Sequence, residues 1–217
     1  MVWTMERIID SELRGLESMI TQMCELARGV VSTALHESLH YGDSYDKIRE
    51  TSDYLMILAD QVEDKAVEII LKFQPVASDL RIVKTFMRIS YDLARLGRYA
   101  LDIAYVNRHF NGVRDCEEWI CAHIKDMGQK VINMIELTVA SIKERSLKHA
   151  KEVSELEKKV DELYKSFLDK VAKSASENRA VVSSVLIVRY LERIADHMVY
   201  AYEALIYMVT GKRELIE

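Results

Sequence analysis

Hydrophobic positions recur along this chain with the period of an α-helix. Towards the C-terminus, Val181, Val185, Val188, Ala195, Val199, Tyr202 and Ile206 follow one another at steps of three, four or seven residues, which places them on one helix face. Leu156, Val160, Leu163 and Phe167 repeat the pattern upstream. Breakers and caps divide the chain into six such segments. The first covers about 5–40 and stops at Tyr41-Gly42-Asp43-Ser44, where Asp43 or Ser44 caps the second. The second runs to about Phe73, before Gln74-Pro75. The third starts at Ser78, with Asp79 in its first turn, and reaches Asn111-Gly112. The fourth spans 114–145. Ser146 is the expected cap of the fifth, which ends near Ser174-Ala175-Ser176, and the sixth runs to Thr210-Gly211. Helices five and six have about 30 residues each, or roughly 45 Å. Short connections make neighbours antiparallel. The predicted fold is all-α, two tandem three-helix bundles related by a pseudo-two-fold, with residues 1–112 and 113–217 as the two units.

The division into two units is itself written in the chain. With Val62 set against Val160, an offset of 98, the two halves run without a gap to Asp92-Leu93-Ala94-Arg95-Leu96-Gly97-Arg98 and Tyr190-Leu191-Glu192-Arg193-Ile194-Ala195-Asp196. Leu93 and Arg95 fall on Leu191 and Arg193. The acid pair Glu192/Asp196 instead faces Ala94 and Arg98. One unit has kept a carboxylate cluster that the other has lost.

Composition narrows the function classes. A chain of 217 residues that is 49% hydrophobic buries a sizeable core, and one proline with seven glycines suits long helices. A formal net charge of −5 gives no electrostatic footprint for nucleic acid or an anionic membrane. Cys24, Cys116 and Cys121 are too few and too scattered for a disulfide framework or a zinc site, which reads as reduced thiols in a cytosolic protein. No signal-peptide pattern opens the chain, and no stretch is long and apolar enough to span a bilayer.

The candidate chemistry is the acid cluster. Glu192 and Asp196 are four apart and share a helix face. Glu192 is seven residues from both Val185 and Val199, so it lies on the apolar stripe. Glu157 and Asp161 form a second pair with the same spacing on helix five. Carboxylates that face apolar neighbours need compensation, and two sources are open. One is arginine, since Arg189 and Arg193 stand three residues from Glu192 and Asp196. The other is a metal: four carboxylates on two antiparallel helices, with no organised histidine or cysteine set, suit Mg²⁺, Mn²⁺, Fe or Zn²⁺. His197 points about 100° away from Asp196 and is not counted as a ligand. In the first unit Arg98 is expected to pair with Glu63 or Asp64, standing where a cation would sit.

Weaker signals surround it. Arg81, Arg88 and Arg95 form a seven-residue stripe on helix three, either a solvated basic edge or a docking or anion-binding face. Glu37-Ser38-Leu39-His40 has the Glu-x-x-His spacing of di-iron bundles, but such a site needs that motif twice. Tyr200, Tyr202 and Tyr207 either line an interface or straddle core and solvent.

Gln74-Pro75-Val76-Ala77-Ser78-Asp79-Leu80-Arg81, then Asp92-Leu93-Ala94-Arg95-Leu96-Gly97 and Leu191-Glu192-Arg193-Ile194-Ala195-Asp196, together resemble the PhoU family of phosphate-uptake regulators over nearly the whole chain. The last motif resembles the family's Glu/Asp-x-x-x-Asp metal signature, falling here on Glu192 and Asp196. The resemblance implies paired three-helix bundles with surface metal clusters and no enzymatic activity. It also implies cytoplasmic negative control of phosphate uptake and phosphate-starvation signalling, through contact with a phosphate ABC transporter and a sensor kinase. The reading drawn from both lines is a homodimeric adaptor at the membrane periphery, holding a divalent or trivalent metal ion at Glu157, Asp161, Glu192 and Asp196. Its alternatives are a paralogue serving another transporter, a di-iron-type metalloenzyme, and a purely structural helical module.

Overall fold

The computed structural model describes residues 7–40, 42–114, 116–173 and 179–216. Six helices follow in order: α1 (Ile8–Leu39), α2 (Tyr45–Phe73), α3 (Ser78–Phe110), α4 (Glu118–Glu144), α5 (Ala150–Lys173) and α6 (Arg179–Thr210). No strand occurs among the described residues. Tyr41 and Ser174-Ala175-Ser176, two of the expected break points, lie outside the described residues.

Helices α2, α3 and α6 end where their sequences force them to. Gln74 at the end of α2 takes a left-handed conformation (φ 46°) just before Pro75, whose ring cannot continue a helix. Asn111 and Gly112 turn the chain after α3 at φ 67° and 59°, and Gly211 (φ 76°) returns its amide to the Tyr207 carbonyl at the end of α6.

The starts are less regular than serine caps predict. Ser44 does occupy the cap position of α2, but it makes no cap bond. Its hydroxyl and amide donate instead to Glu37, at 2.5 and 3.0 Å, so the Glu-x-x-His segment braces the α1–α2 turn. Helix α3 does begin at Ser78 with Asp79 in its first turn, and Ala77 before it supplies no side-chain cap. Ser146 belongs to the end of α4: its amide reaches the Ser141 carbonyl at 3.0 Å while Arg145 turns left-handed. That closes α4 with a Schellman-type pair of bonds and leaves α5 to begin four residues later.

α1, α2 and α3 pack on one another, and so do α4, α5 and α6; the two units meet chiefly through α3 against α6, with α1 touching α4. Helix α3 is therefore covered on three sides. Phe86, Ile89, Leu93, Leu96, Ala100 and Ile103 are buried on it, and so are Thr85, Ser90, Asp92 and Asn107. On α6 the expected Val188, Ala195, Tyr202 and Ile206 are core, whereas Tyr200 is exposed.

The 98-residue offset reappears in space. His197 donates or accepts at Nδ1 with Asp92 Oδ1, 2.8 Å away across the α3–α6 interface. Adding the offset to Asp92 and subtracting it from His197 gives Tyr190 and Tyr99, and these two rings stack at 6.3 Å. The same pair of positions meets twice, as a pseudo-two-fold axis through α3 and α6 requires.

Candidate metal centre

All four acids of the second unit lie where α5 faces α6. Glu192 is buried, Glu157, Asp161 and Asp196 are partly exposed. Helical spacing aligns Glu157 with Asp161 and Glu192 with Asp196, one turn apart on each helix. Burial pushes the Glu157 carboxyl above the usual range, and the charges of Asp161 and Asp196 push it further; Lys158 and Lys165 offset part of this. Asp196 is likewise raised, first by burial and then by Glu192, against the opposing pull of Arg193, His197 and Arg189. Negative charge is therefore concentrated beyond what the local cations neutralise at Glu157 and Asp196.

Arginine takes up most of Glu192. Its Oε2 accepts from Arg189 Nη1 at 2.8 Å and from Arg193 Nε at 2.9 Å, and its Oε1 accepts from Arg193 Nη2 at 3.1 Å. The same Arg193 nitrogen lies 3.2 Å from Asp196 Oδ2, and Lys165 Nζ donates to Asp161 Oδ2 at 2.5 Å. In this arrangement Arg193 bridges the two acids of α6. Among the described residues no three histidine, cysteine, aspartate or glutamate side chains converge as a ready ligand set. The donor chemistry fits a hard or borderline cation: carboxylates only, with Glu157 in the field of both Asp161 and Asp196. Glu192 joins such a set only if Arg189 and Arg193 release it.

The first unit differs as its sequence does. Ala94 is buried at the position of Glu192. Arg98, expected opposite Glu63 or Asp64, pairs with Asp53 at 2.9 Å instead. Asp53 is ten residues before Glu63 on α2, so the guanidinium reaches along that helix in the other direction. His197, off the acid face as helix geometry requires, binds Asp92, a partner that sequence spacing did not single out. Asp92 is almost fully buried, and its second oxygen, Oδ2, has no hydrogen-bond partner, with Arg88 Nε at 3.6 Å. The signal was present in the chain: Asp92 stands three residues after Ile89 and four before Leu96, on the apolar face of α3.

Two tandem matches to the PhoU domain cover residues 20–106 and 124–205. The chain belongs to the PhoU family. A Clostridium acetobutylicum protein named as a phosphate-specific transport system accessory protein PhoU homolog is 32% identical, over 95% of this chain and 96% of its own length. The Deinococcus radiodurans protein of the same name is 25% identical over 97% and 100%. The fold is that of the PhoU crystal structure from Pseudomonas aeruginosa, with a TM-score of 0.87 at 24% identity, covering 94% of this chain and 99% of that one. The two domain matches fall within the two helix triplets, α1–α3 and α4–α6, and the segment Gln74–Arg81 forms the α2–α3 turn and the start of α3. There Gln74 and Ala77 both hold positive φ, 46° and 48°, and Val76 is largely exposed.

Proposed function

We propose that this chain is a regulatory accessory protein of phosphate transport, acting by binding and not by catalysis. The observation that carries this is the pair of PhoU domains spanning the chain, together with a relative over 30% identical end to end that is named for that role. The protein docks on a phosphate ABC transporter, at its ATPase subunit, and on a sensor kinase. It works by favouring one conformation of that partner, which requires different affinities for two partner states. No helix among the described residues is long and apolar enough to cross a membrane, so attachment to a transporter runs through protein contacts. A homodimer is part of the same proposal. The test is co-purification with the phosphate transporter's ATPase subunit from cells grown at high and low phosphate, beside uptake rates in a deletion strain. Phosphate-dependent association and uptake that escapes repression on deletion are expected. Unchanged uptake and no association would sink the reading.

The acid cluster gives the same proposal a metal. Glu157, Asp161 and Asp196 would hold a divalent or trivalent cation, with Glu192 recruited from its arginines. When bound, the ion supplies positive charge that cancels the repulsion between α5 and α6. Elemental analysis of protein purified without chelators or a histidine tag, beside Glu157→Gln/Asp196→Asn, tests it. Metal in the parent that is absent from the folded variant is expected. Equal metal content in both, or none in either, rejects the site.

A further inference from the structure

The Arg81–Arg88 stripe of α3 runs into a feature that the regulatory reading does not use. Where this part of α3 passes the C-terminal part of α6, the tail after Gly211 folds back and closes a cleft of about 370 Å³. Its walls include Lys84 and Arg88 of α3, Tyr200 and Tyr207 of α6, and Arg213 of the tail. The volume is in the range of small-molecule sites. The tail is held in place: the Lys212 amide donates to Thr210 Oγ1 at 3.0 Å, and the Ile216 amide to Glu203 Oε1 at 3.4 Å.

Two cations of this cleft, Lys84 and Arg213, are oriented without being neutralised. Lys84 Nζ and the Arg213 guanidinium sit over the Tyr207 ring, at 5.7 and 5.9 Å, and Arg88 sits over Tyr200 at 5.9 Å. An aromatic face positions a cation but carries no net charge to cancel it. Neither Lys84 nor Arg213 has a carboxylate within ion-pair distance among the described residues, and Arg88 has Asp92 Oδ2 at 3.6 Å, the other oxygen of that carboxylate being bound to His197. Arg81, one turn before Lys84, presses against the turn: a Cβ at Gly211 would lie 3.4 Å from its Nη1. Its Nε is buried with no hydrogen-bond partner. Three cations of the wall, Lys84, Arg88 and Arg213, with Arg81 beside them at the Gly211 turn, thus meet two acids, Glu203 and Glu214, in a chain whose net charge is −5.

We propose that this cleft binds a compact polyanion, the diphosphate chain of pyrophosphate or of a nucleoside diphosphate. Cations stand on two walls, α3 and the tail, so a ligand that satisfies both needs more than one anionic group. Guanidinium groups favour phosphate oxygens through paired, charge-assisted bonds. The exposed edges of Tyr200 and Tyr207 offer a surface on which a base can rest. The site stands apart from the acid cluster and from the accessory role.

Calorimetric titration of the full chain with pyrophosphate, ADP and orthophosphate tests this, at low salt and with EDTA present so that no metal at the acid cluster captures phosphate. Saturable binding of pyrophosphate or ADP is expected, tighter than that of orthophosphate. The Lys84→Ala/Arg213→Ala variant should weaken it by about tenfold or more, with its helical circular dichroism intact. Arg213→Ala alone, in the tail, should shift affinity the same way by less, and Lys148→Ala on the α4–α5 turn should leave it unchanged. Equal affinity for the two diphosphates assigns recognition to the phosphate chain, and tighter ADP adds the base. Absence of saturable binding, orthophosphate binding as tight as pyrophosphate, or an unaffected double variant would each overturn the proposal.

Discussion

Single residues carry the electrostatic and backbone costs of this protein. The raised carboxyls of Glu157 and Asp196 mean that ionising them opposes folding. That cost is absent below the ordinary carboxylate pKa, grows as the pH rises through the raised values, and is fully present at neutral pH. In metal-free protein, kept so with EDTA, Glu157→Gln should therefore raise the melting temperature at pH 7 by about 1–2 °C, a small gain because Glu157 remains partly in solvent. The gain should vanish near pH 3; an equal gain at both pH values would point to packing instead of charge. Backbone strain is concentrated at Ala77, whose φ of 48° and ψ of −114° suit glycine. Ala77→Gly should stabilise the fold by about 1 kcal/mol, within the usual cost of such a conformation, as read by urea denaturation. Burial also pushes the Cys24 thiol up to about 12, which agrees with the reading of that cysteine as an inert core residue.

Among the elements, close packing is decided by small residues that a hydrophobic pattern does not weigh. Gly97 lets α3 approach α2: a Cβ there would meet Leu55 Cδ1 at 2.8 Å and the Ser52 backbone Cα at 3.3 Å. The leucine can turn aside, but the backbone cannot, so Gly97→Ala should cost about 1–3 kcal/mol. Gly15 in α1 has nothing within 4 Å of the same point, and Gly15→Ala should gain about 0.5–1 kcal/mol from helix propensity alone. Opposite signs in parallel denaturation curves check both; equal effects would refute the close approach. Helix ends were legible where glycine, proline or asparagine sat, because those residues act through their own backbone. Ser44 and Ser146 were less legible as caps, because a hydroxyl bonds whichever partner the fold brings near. For Ser44 that partner was Glu37.

For the whole molecule, the interface between α3 and α6 joins the two repeats into one core. Thr85, Asp92 and Tyr99, at seven-residue steps on α3, meet Ala204, His197 and Tyr190 of α6, and the apolar residues beside them, Ile89 and Leu96 on α3 and Ile187, Leu191 and Ile194 on α6, are buried. An isolated repeat would expose that apolar face to water. Calorimetry of the full chain should then give a single transition with equal calorimetric and van't Hoff enthalpies. Two separated transitions would mean that each three-helix unit folds alone.

The chain by itself determined the helices, their number, the tandem repeat and the absence from the first copy of three of the four acids, where Ala59, Ala94 and Arg98 stand. These follow from local periodicity and from residue identity at a fixed offset, and neither depends on what is distant in sequence. Only tertiary structure decided which charges meet. Helical spacing placed Arg189 and Arg193 within reach of Glu192, and they bind it. Long side chains from different helices obey no such spacing. Arg98 reaches Asp53, His197 finds Asp92, and Arg213 returns from the tail to Tyr207. Each of these pairings depends on how the two repeats and the tail come together, a relation set by the shared core between α3 and α6 and by the chain's reversal at Gly211.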